Sequence, residues 1–111
     1  MDRITIIMLT LAAVFAATGQ LLFRVGANGR QEFIEFINFP IFLGLVFYAA
    51  GTIIWIYALA SEKLVNVYAF TALTFVLVYI GGVSLLGERL HSAGMIGILL
   101  VLVGLYFITS G

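Results

Sequence analysis

The sequence predicts an all-α integral membrane protein, a bundle of four transmembrane helices. Of its 111 residues, 64% are hydrophobic and only 9% are charged. In soluble domains about half of the residues are apolar and about a quarter are charged. A soluble fold of this length would not bury so much apolar surface, so we expect lipid to surround the chain. The apolar runs are too continuous for the alternation of a β-barrel, which favours helices.

A helix needs about 20 apolar residues to cross the hydrocarbon core, and four runs meet this requirement. Every charged residue, and the single histidine, lies at the edge of a run or between two runs. No small-residue cleavage site follows the first run, so we expect it to be retained as a span. The sequence thus predicts a single domain over residues 1–111, with spans at residues 4–23, 41–60, 64–86 and 93–110.

The connections between these spans are short and polar. In the first, apolar residues at 33–37 alternate with glutamates at helical spacing, which predicts a short helix lying at the membrane interface. Pro40 then opens the second span, where a missing N–H does no harm. Only residues 61–63 join the second and third spans, which predicts a tight antiparallel hairpin. In the third connection, Ser92 is the predicted N-cap of the last helix.

The positive charges do not select an orientation in the membrane, because both sides of the bilayer receive similar numbers of them. Such a near tie permits insertion in either orientation, and therefore an antiparallel dimer. The residues are Arg3 and Lys63, with the N-terminus, on one side, and Arg24, Arg30 and Arg89 on the other.

The first span carries two polar side chains within the stretch AAVFAATGQLLFR, residues 12–24. Gln20 and Arg24 lie one helical turn apart on one face, and Ala16 lies one turn before them. Polar groups in a membrane helix are costly, so they indicate a function. Arg24 has an alternative role, because its long side chain can snorkel to lipid headgroups. Gln20 lies deeper and has no such reach.

The second and third spans add polar side chains at helical spacing. Tyr48 and Trp55 share a stripe of the second span, and Tyr68, Thr71 and Thr74 share one side of the third. Threonines in membrane helices often bond their own backbone, and Trp55 can instead be an interfacial anchor. If these side chains face inward, they line a polar cleft. The predicted substrate-binding residues are Gln20, Arg24, Tyr48, Trp55, Tyr68 and Thr71.

The composition excludes several other functions. The chain has no cysteine and one histidine, His91, so disulfides, thiol catalysis and a histidine–cysteine metal site are not expected. Its formal net charge is zero, which leaves no electrostatic footprint for nucleic acid. No arrangement of carboxylates, serine and histidine supports catalysis. We therefore predict no enzyme, no metal, no cofactor and no nucleic-acid partner.

The last span and its preceding connection carry a family resemblance. The segment GERLHSAGMIGILLVLVGLYF, residues 87–107, resembles the closing segment of EamA-type domains in the drug/metabolite transporter superfamily. Four spans in a chain of this length are also similar to the small multidrug resistance proteins of that superfamily. Gly97 and Gly104 share a face through which helices can approach closely. The family's dimerising pattern is similar to Gly97-x-x-Leu100-x-x-x-Gly104, which implies that Gly97, Leu100 and Gly104 form a dimer interface.

Two departures separate this chain from the multidrug exporters. Those exporters carry a membrane-embedded glutamate three residues before the glycine that corresponds to Gly19, and this sequence has Ala16 there. Their pocket tryptophan is replaced by Thr71, although the preceding pair Tyr68-Ala69 is present. Without the acid there is neither a buried proton carrier nor a counter-charge for a cation. Proton-coupled export of cationic drugs by the usual mechanism is therefore not expected.

A second branch of the superfamily matches these departures. Residues 17–21, ATGQL, resemble the first helix of the aminoarabinose–undecaprenyl phosphate flippase subunits, and residues 55–84, with VYAFTALTFVLVYIGG, resemble their middle hairpin. The resemblance implies translocation of a lipid-linked sugar across the inner membrane, as a homodimer or with a paralogue. Arg24 would contact the phosphate, and Gln20 would bond sugar hydroxyls or phosphate oxygens.

Two alternatives remain open from the sequence. The chain can be an exporter of cationic compounds with a different coupling residue, for which Glu88 is the candidate. It can also be a non-transporting accessory subunit that packs against a larger membrane protein through Gly97 and Gly104. All three hypotheses share membrane lipid as the surroundings, and the first adds an amphiphilic small-molecule substrate.

Overall fold

The computed structural model describes residues 2–110 and is helical over most of that range. Each of four long helices is long and apolar enough to cross a membrane, and no residue between Asp2 and Ser110 lies in a strand. The prediction of an all-α chain with four long apolar helices is confirmed. The helices are α1 (Arg3–Ala27), α2 (Phe39–Leu59), α3 (Leu64–Leu85) and α4 (Ser92–Ser110), and a short 3₁₀ helix (Phe33–Phe36) precedes α2.

Helix α1 is longer than the predicted span at its C-terminal end. Its N-terminus is capped by Asp2, whose carboxylate accepts a hydrogen bond from the Thr5 N–H at 2.7 Å. Its last turn continues to Ala27, and the Asn28 N–H donates to the Arg24 carbonyl at 3.0 Å. Arg24 therefore belongs to the last turn of a continuous helix, where a cation also interacts favourably with the helix dipole.

Helix α2 begins as its sequence predicts, with Pro40 in the first turn. The Asn38 carboxamide caps it by accepting from the Ile41 N–H at 3.0 Å, and donates in turn to the carbonyls of Gly26 at 3.0 Å and Glu35 at 2.8 Å. One side chain thus ties together the end of α1, the 3₁₀ helix and the start of α2.

Glycines bring the backbones of α1 and α2 into direct contact. A Cβ added to Gly19 would lie 2.7 Å from the Gly44 carbonyl oxygen, and one added to Gly44 would lie 2.8 Å from the Gly19 oxygen. Further along, a Cβ on Gly51 would approach the Ala12 oxygen to 2.9 Å. Close approach through small residues is how apolar helices gain packing contacts where lipid removes a hydrophobic drive. These contacts join α1 and α2 along much of their length.

The predicted hairpin of the second and third spans requires a correction. The connection is as short as expected, since α2 ends at Leu59 and α3 begins at Leu64. The two helices nevertheless contact each other little, because both pack against α1. The side chains of Leu9, Ala58, Val67 and Phe70 form the buried core near the connection. Helix α1 is therefore the centre of the fold.

Helix α4 is the least integrated element. It packs chiefly against α3, and none of its residues is buried. It begins at Ser92 itself, with the Met95 N–H bonded to the His91 carbonyl at 3.2 Å, so the predicted N-cap lies one residue too late. Most of the surface of α4 is left without a partner within the described chain.

Candidate functional site

Helices α1, α2 and α3 enclose a cleft with a volume of about 430 Å³. One wall is made of small residues of α1, Ala12, Ala13 and Ala16, which leave room beside the helix. The opposite walls carry larger aromatic and hydroxyl side chains from α2 and α3. The volume lies within the range of small-molecule pockets, roughly 300–1,000 Å³. Helix α4 contributes no side chain to the lining of this cleft.

Most of the side chains predicted to bind substrate lie together in this cleft. Gln20 comes from α1, Tyr48 and Trp55 from α2, and Tyr68 and Thr71 from α3. Side chains far apart in the sequence thus share one space because α2 and α3 both pack on α1. Their role in binding stays a prediction.

The cleft is open on one side. Tyr68 is 62% exposed and Tyr48 is 41% exposed, although both line it. The Tyr48 ring is positioned by Phe23 of α1, with ring centroids 6.0 Å apart. A ligand can therefore enter between helices, from the side of the bundle, and does not need a sealed pore.

The hydroxyl groups of the cleft differ in what they can offer a ligand. Thr52 donates to the Tyr48 carbonyl at 2.9 Å, and Thr74 to the Phe70 carbonyl at 3.4 Å, as threonines in membrane helices often do. The Gln20 amide and the Thr71 hydroxyl line the cleft without such a bond to other groups of residues 2–110. Gln20 is thus the polar group of α1 that is available to a ligand.

Arg24 was predicted to line the cleft, but it lies outside it. It is not part of the cleft lining, and its Nε lies 3.7 Å from the Glu88 Oε2. Both side chains are about half exposed, at 56% and 52%. The guanidinium therefore lies one helical turn beyond Gln20 and contacts the connection between α3 and α4. The sequence contained no signal for this pairing, because 64 positions separate the two residues.

Several lining residues were not singled out in the sequence, among them two large apolar ones, Leu9 and Phe70. Leu9 is fully buried, and Phe70 is 7% exposed. Phe70 also borders a second groove of about 310 Å³ that is lined by side chains of α4 and by Ile6. Neither residue carries a sequence signal, because an apolar residue in a uniformly apolar helix does not reveal which neighbour it faces.

The charged groups lie outside the cleft. Its lining contains no carboxylate, amine, guanidinium or imidazole among the described residues. Within residues 2–110 no three His, Asp or Glu side chains gather as metal ligands would. The cleft therefore offers amide, hydroxyl and indole groups together with aromatic faces, which can bind an uncharged polar group.

The end of the bundle opposite Arg24 carries two hydrogen-bonded carboxylates. The Thr5 N–H that bonds Asp2 lowers the pKa of that carboxyl group. The Asn66 carboxamide, 2.8 Å from the Glu62 carboxylate, lowers the pKa of Glu62. Both groups therefore stay ionised to lower pH than usual.

The face of α4 that was predicted to form a dimer is open. A Cβ added to Gly97 or Gly104 would meet nothing within 4 Å, and Leu100 is 67% exposed. These residues therefore take no part in packing within the described chain. An interface with a second chain at this face stays a prediction.

Comparisons of the chain with models of protein families, with curated proteins and with solved structures find no match. The resemblance to EamA-type domains accordingly stays a prediction, and the case for a function depends on the geometry of the cleft.

Proposed function

We propose that this chain is a small membrane transporter of the drug/metabolite superfamily type, which moves a lipid-linked sugar or another anionic amphiphile across the inner membrane as a dimer. The observation that carries the proposal is the cleft, in which polar side chains from α1, α2 and α3 meet between helices that are otherwise apolar. Polar groups retained inside such helices usually serve a solute that passes between them.

The chemistry of the lining supports a sugar-bearing headgroup. The Gln20 amide both donates and accepts, the Tyr68 hydroxyl does likewise, and the Trp55 indole N–H donates. The aromatic rings offer flat surfaces with polar tips against which a sugar ring can pack. A headgroup in the cleft would have its phosphate directed toward Arg24, one turn beyond Gln20, because a guanidinium binds phosphate oxygens through paired N–H groups.

The open side of the cleft supports an amphiphile. With Tyr68 and Tyr48 both exposed, a headgroup can occupy the cleft while its hydrocarbon tail stays in lipid. This arrangement avoids the cost of enclosing a long apolar tail within so small a bundle.

Export of cations gains less support. Among the described residues, no carboxylate lines the cleft, so a cation there would lack a counter-charge. Glu88, the candidate coupling residue, contacts Arg24 and borders a different groove with Tyr79 and Arg89. Glu88 is therefore not a buried acid that could bind a cation.

Transbilayer movement of a labelled polyprenyl phosphate sugar in proteoliposomes tests the proposal. Gln20→Leu keeps a side chain of similar volume and removes its hydrogen bonds. It should therefore reduce the rate about tenfold, the effect of losing roughly 1–1.5 kcal/mol of hydrogen bonding. Thr18→Val is the matched control, because Thr18 lies on the same helix, outside the cleft lining, and bonds the Val14 carbonyl. It should leave the rate unchanged.

Two outcomes would contradict the proposal. Equal transport by Gln20→Leu and the wild-type protein would remove the cleft from the pathway. Transport by neither protein, with co-isolation of a larger membrane protein that is lost on Gly97→Leu, would favour the accessory-subunit alternative.

A further inference from the structure

The contact between Arg24 and Glu88 joins α1 to the connection between α3 and α4 at one end of the bundle. The Arg24 Nε and the Glu88 Oε2 lie 3.7 Å apart. Arg24 belongs to the last turn of α1, whereas Glu88 follows the end of α3 at Leu85. The ion pair therefore links the C-terminal end of α1 to the connection that follows α3.

Two glycines give Glu88 its position. Gly87 has a φ of +72°, a conformation that favours glycine, and it turns the chain back toward α3. The Glu88 N–H then donates to the Gly82 carbonyl at 3.0 Å. Gly82 also leaves room for the carboxylate, because a Cβ there would lie 2.6 Å from the Glu88 Oε1. The backbone of the connection thus directs this carboxylate toward α1.

The other cations near this end have different neighbours. The Arg30 Nε donates to the Gly26 carbonyl at 3.2 Å. Arg89 lies next to Glu88 in the chain and borders a groove with Phe75 and Tyr79. Arg24 is therefore the cation that lies both beside the Glu88 carboxylate and one turn from the Gln20 amide of the cleft.

We propose that Glu88 is an internal counter-ion that competes with the anionic headgroup for Arg24, and thereby determines which anions the site accepts. This inference rests on the proposed function. The Glu88 carboxylate lies beside the Nε edge of the Arg24 guanidinium and offsets its positive charge. A phosphate that pairs with this edge therefore has to displace the carboxylate. An anionic phosphate group displaces Glu88, whereas a neutral headgroup does not.

Displacement also has a mechanical consequence. The pair is half exposed and its Nε–Oε2 distance is 3.7 Å, so it contributes little stability and opens easily. Helix α1 is held to α2 by the glycine contacts, whereas α4 is held chiefly to α3. Opening the pair therefore frees the connection and the start of α4 from α1, and substrate binding is linked to the position of α4.

The chain contains a built-in reporter for this test, because its single tryptophan, Trp55, lines the cleft. We would titrate the purified protein with farnesyl phosphate and record the emission of Trp55, with farnesol as the neutral probe. Glu88→Gln should bind farnesyl phosphate about two- to fivefold more tightly, the range for removing a competing exposed ion pair. Its affinity for farnesol should not change.

Two further variants complete the titration. Glu32→Gln removes the same charge from the connection between α1 and α2, which lies at the same end of the bundle, and Glu32 has no ion pair with Arg24. This variant should bind as the wild-type protein does. Arg24→Gln should bind farnesyl phosphate more weakly, and adding Glu88→Gln to it should change nothing further. An equal gain from Glu88→Gln with and without Arg24 would overturn the competition.

A second measurement needs no amphiphile. Hydrogen exchange of the Glu88 amide, bonded to the Gly82 carbonyl, should be about two- to fivefold faster in Arg24→Gln than in the wild-type protein. Inorganic phosphate, compared with chloride at equal ionic strength, should produce the same increase in the wild-type protein only.

The two measurements separate the inference from the proposed function. If farnesyl phosphate and farnesol are bound alike by every variant while phosphate still speeds the exchange, the proposed substrate is wrong and the counter-ion role stands. If farnesyl phosphate binding depends on Arg24 while Glu88→Gln and inorganic phosphate have no effect, the counter-ion role is wrong and the substrate stands.

Discussion

At the scale of single residues, four side chains decide the chemistry of the cleft and of its edge. Ala16 leaves its wall neutral where a carboxylate would attract cations, and Gln20 supplies an amide that is free to bond a ligand. Arg24 adds a positive charge just outside, which Glu88 partly neutralises. The site thus combines an uncharged polar pocket with a guanidinium at its edge, and the anionic glycolipid that we propose as substrate has a group for each part.

Glycine contacts between α1 and α2 lead to the first residue-scale prediction. Gly19→Ala should lower the free energy of unfolding by about 1–3 kcal/mol, because the new methyl group meets the Gly44 carbonyl at 2.7 Å and backbone must move. Gly97→Ala is the control, since its methyl group meets nothing within 4 Å. Unfolding by sodium dodecyl sulfate in mixed micelles measures both. Equal stability of the two variants would show that the helices relax without cost.

Asp2 and Glu62 predict how stability depends on pH. Their pKa values are lowered by bonds from the Thr5 N–H and the Asn66 carboxamide, so the folded state favours the ionised carboxylates. This stabilisation is complete above their ordinary pKa values, near pH 4, and is lost as the pH falls through the lowered values. Unfolding midpoints should therefore stay level from about pH 7 to 5 and fall below about pH 4.

A double variant isolates these two carboxylates. Asp2→Asn retains an N-cap acceptor and Glu62→Gln retains an acceptor for Asn66. Because neither new side chain titrates, the double variant should lose less stability on acidification than the wild-type protein. An unchanged profile would assign the acid sensitivity to other carboxylates.

At the scale of elements, α1 organises the bundle and α4 stays at its edge. Both α2 and α3 pack on α1, so a cleft forms where the small residues of α1 leave space between them. The first connection is braced by Asn38, whereas the third is positioned by Glu88. Asn38 joins α1 and α2, which are already in close contact through their glycines. Glu88 instead positions the connection to α4, a helix that is weakly packed.

Asn38→Ala should lower the free energy of unfolding by about 1–2 kcal/mol, because the N-cap of α2 and two bonds to carbonyls are lost. Asn38→Asp should recover part of this loss, since a carboxylate still accepts from the Ile41 N–H but cannot donate to Gly26 or Glu35. Asn28→Ala is the control, because that residue closes α1 through its backbone N–H. Chemical unfolding measures the free energy of unfolding of each variant. Equal losses for Asn38→Asp and Asn38→Ala would contradict this prediction.

At the scale of the whole molecule, α4 leaves one side of the bundle open. Its Gly97 and Gly104 form an open face where a second helix can approach closely. The cleft also opens to the side rather than being closed by α4. In the proposed dimer, a partner chain would cover this exposed helix.

Gly97→Leu should weaken the dimer at least tenfold, because the added side chain blocks the approach of a second backbone. It should leave the fold of the monomer intact, since nothing lies within 4 Å of that position. Leu99→Phe is the control, as Leu99 is 57% exposed on another face of α4. Mass photometry or crosslinking in mild detergent measures the dimer fraction. An unchanged fraction would move the interface away from this face.

The helices were easier to predict from the sequence than their ends and caps. The four helices follow from long apolar runs, since backbone groups in such runs must bond within the helix. The ends of the helices were less predictable: α1 runs to Ala27, beyond the expected residue 23, because the polar residues Arg24 and Asn28 continue its hydrogen bonds. The caps formed by Asp2 and Asn38 were not predicted, although both residue types favour that position. The predicted cap, Ser92, belongs to the helix itself.

The sequence by itself determined that the chain forms apolar helices and which polar side chains they carry, because hydropathy and helical period depend only on local order. It did not determine which helices touch. Only the tertiary structure separated α2 from α3 by packing both on α1, brought Gln20, Trp55 and Tyr68 to one cleft, and paired Arg24 with Glu88. Uniformly apolar helices have many nearly equivalent faces, and the contacts of their small residues select one arrangement among them.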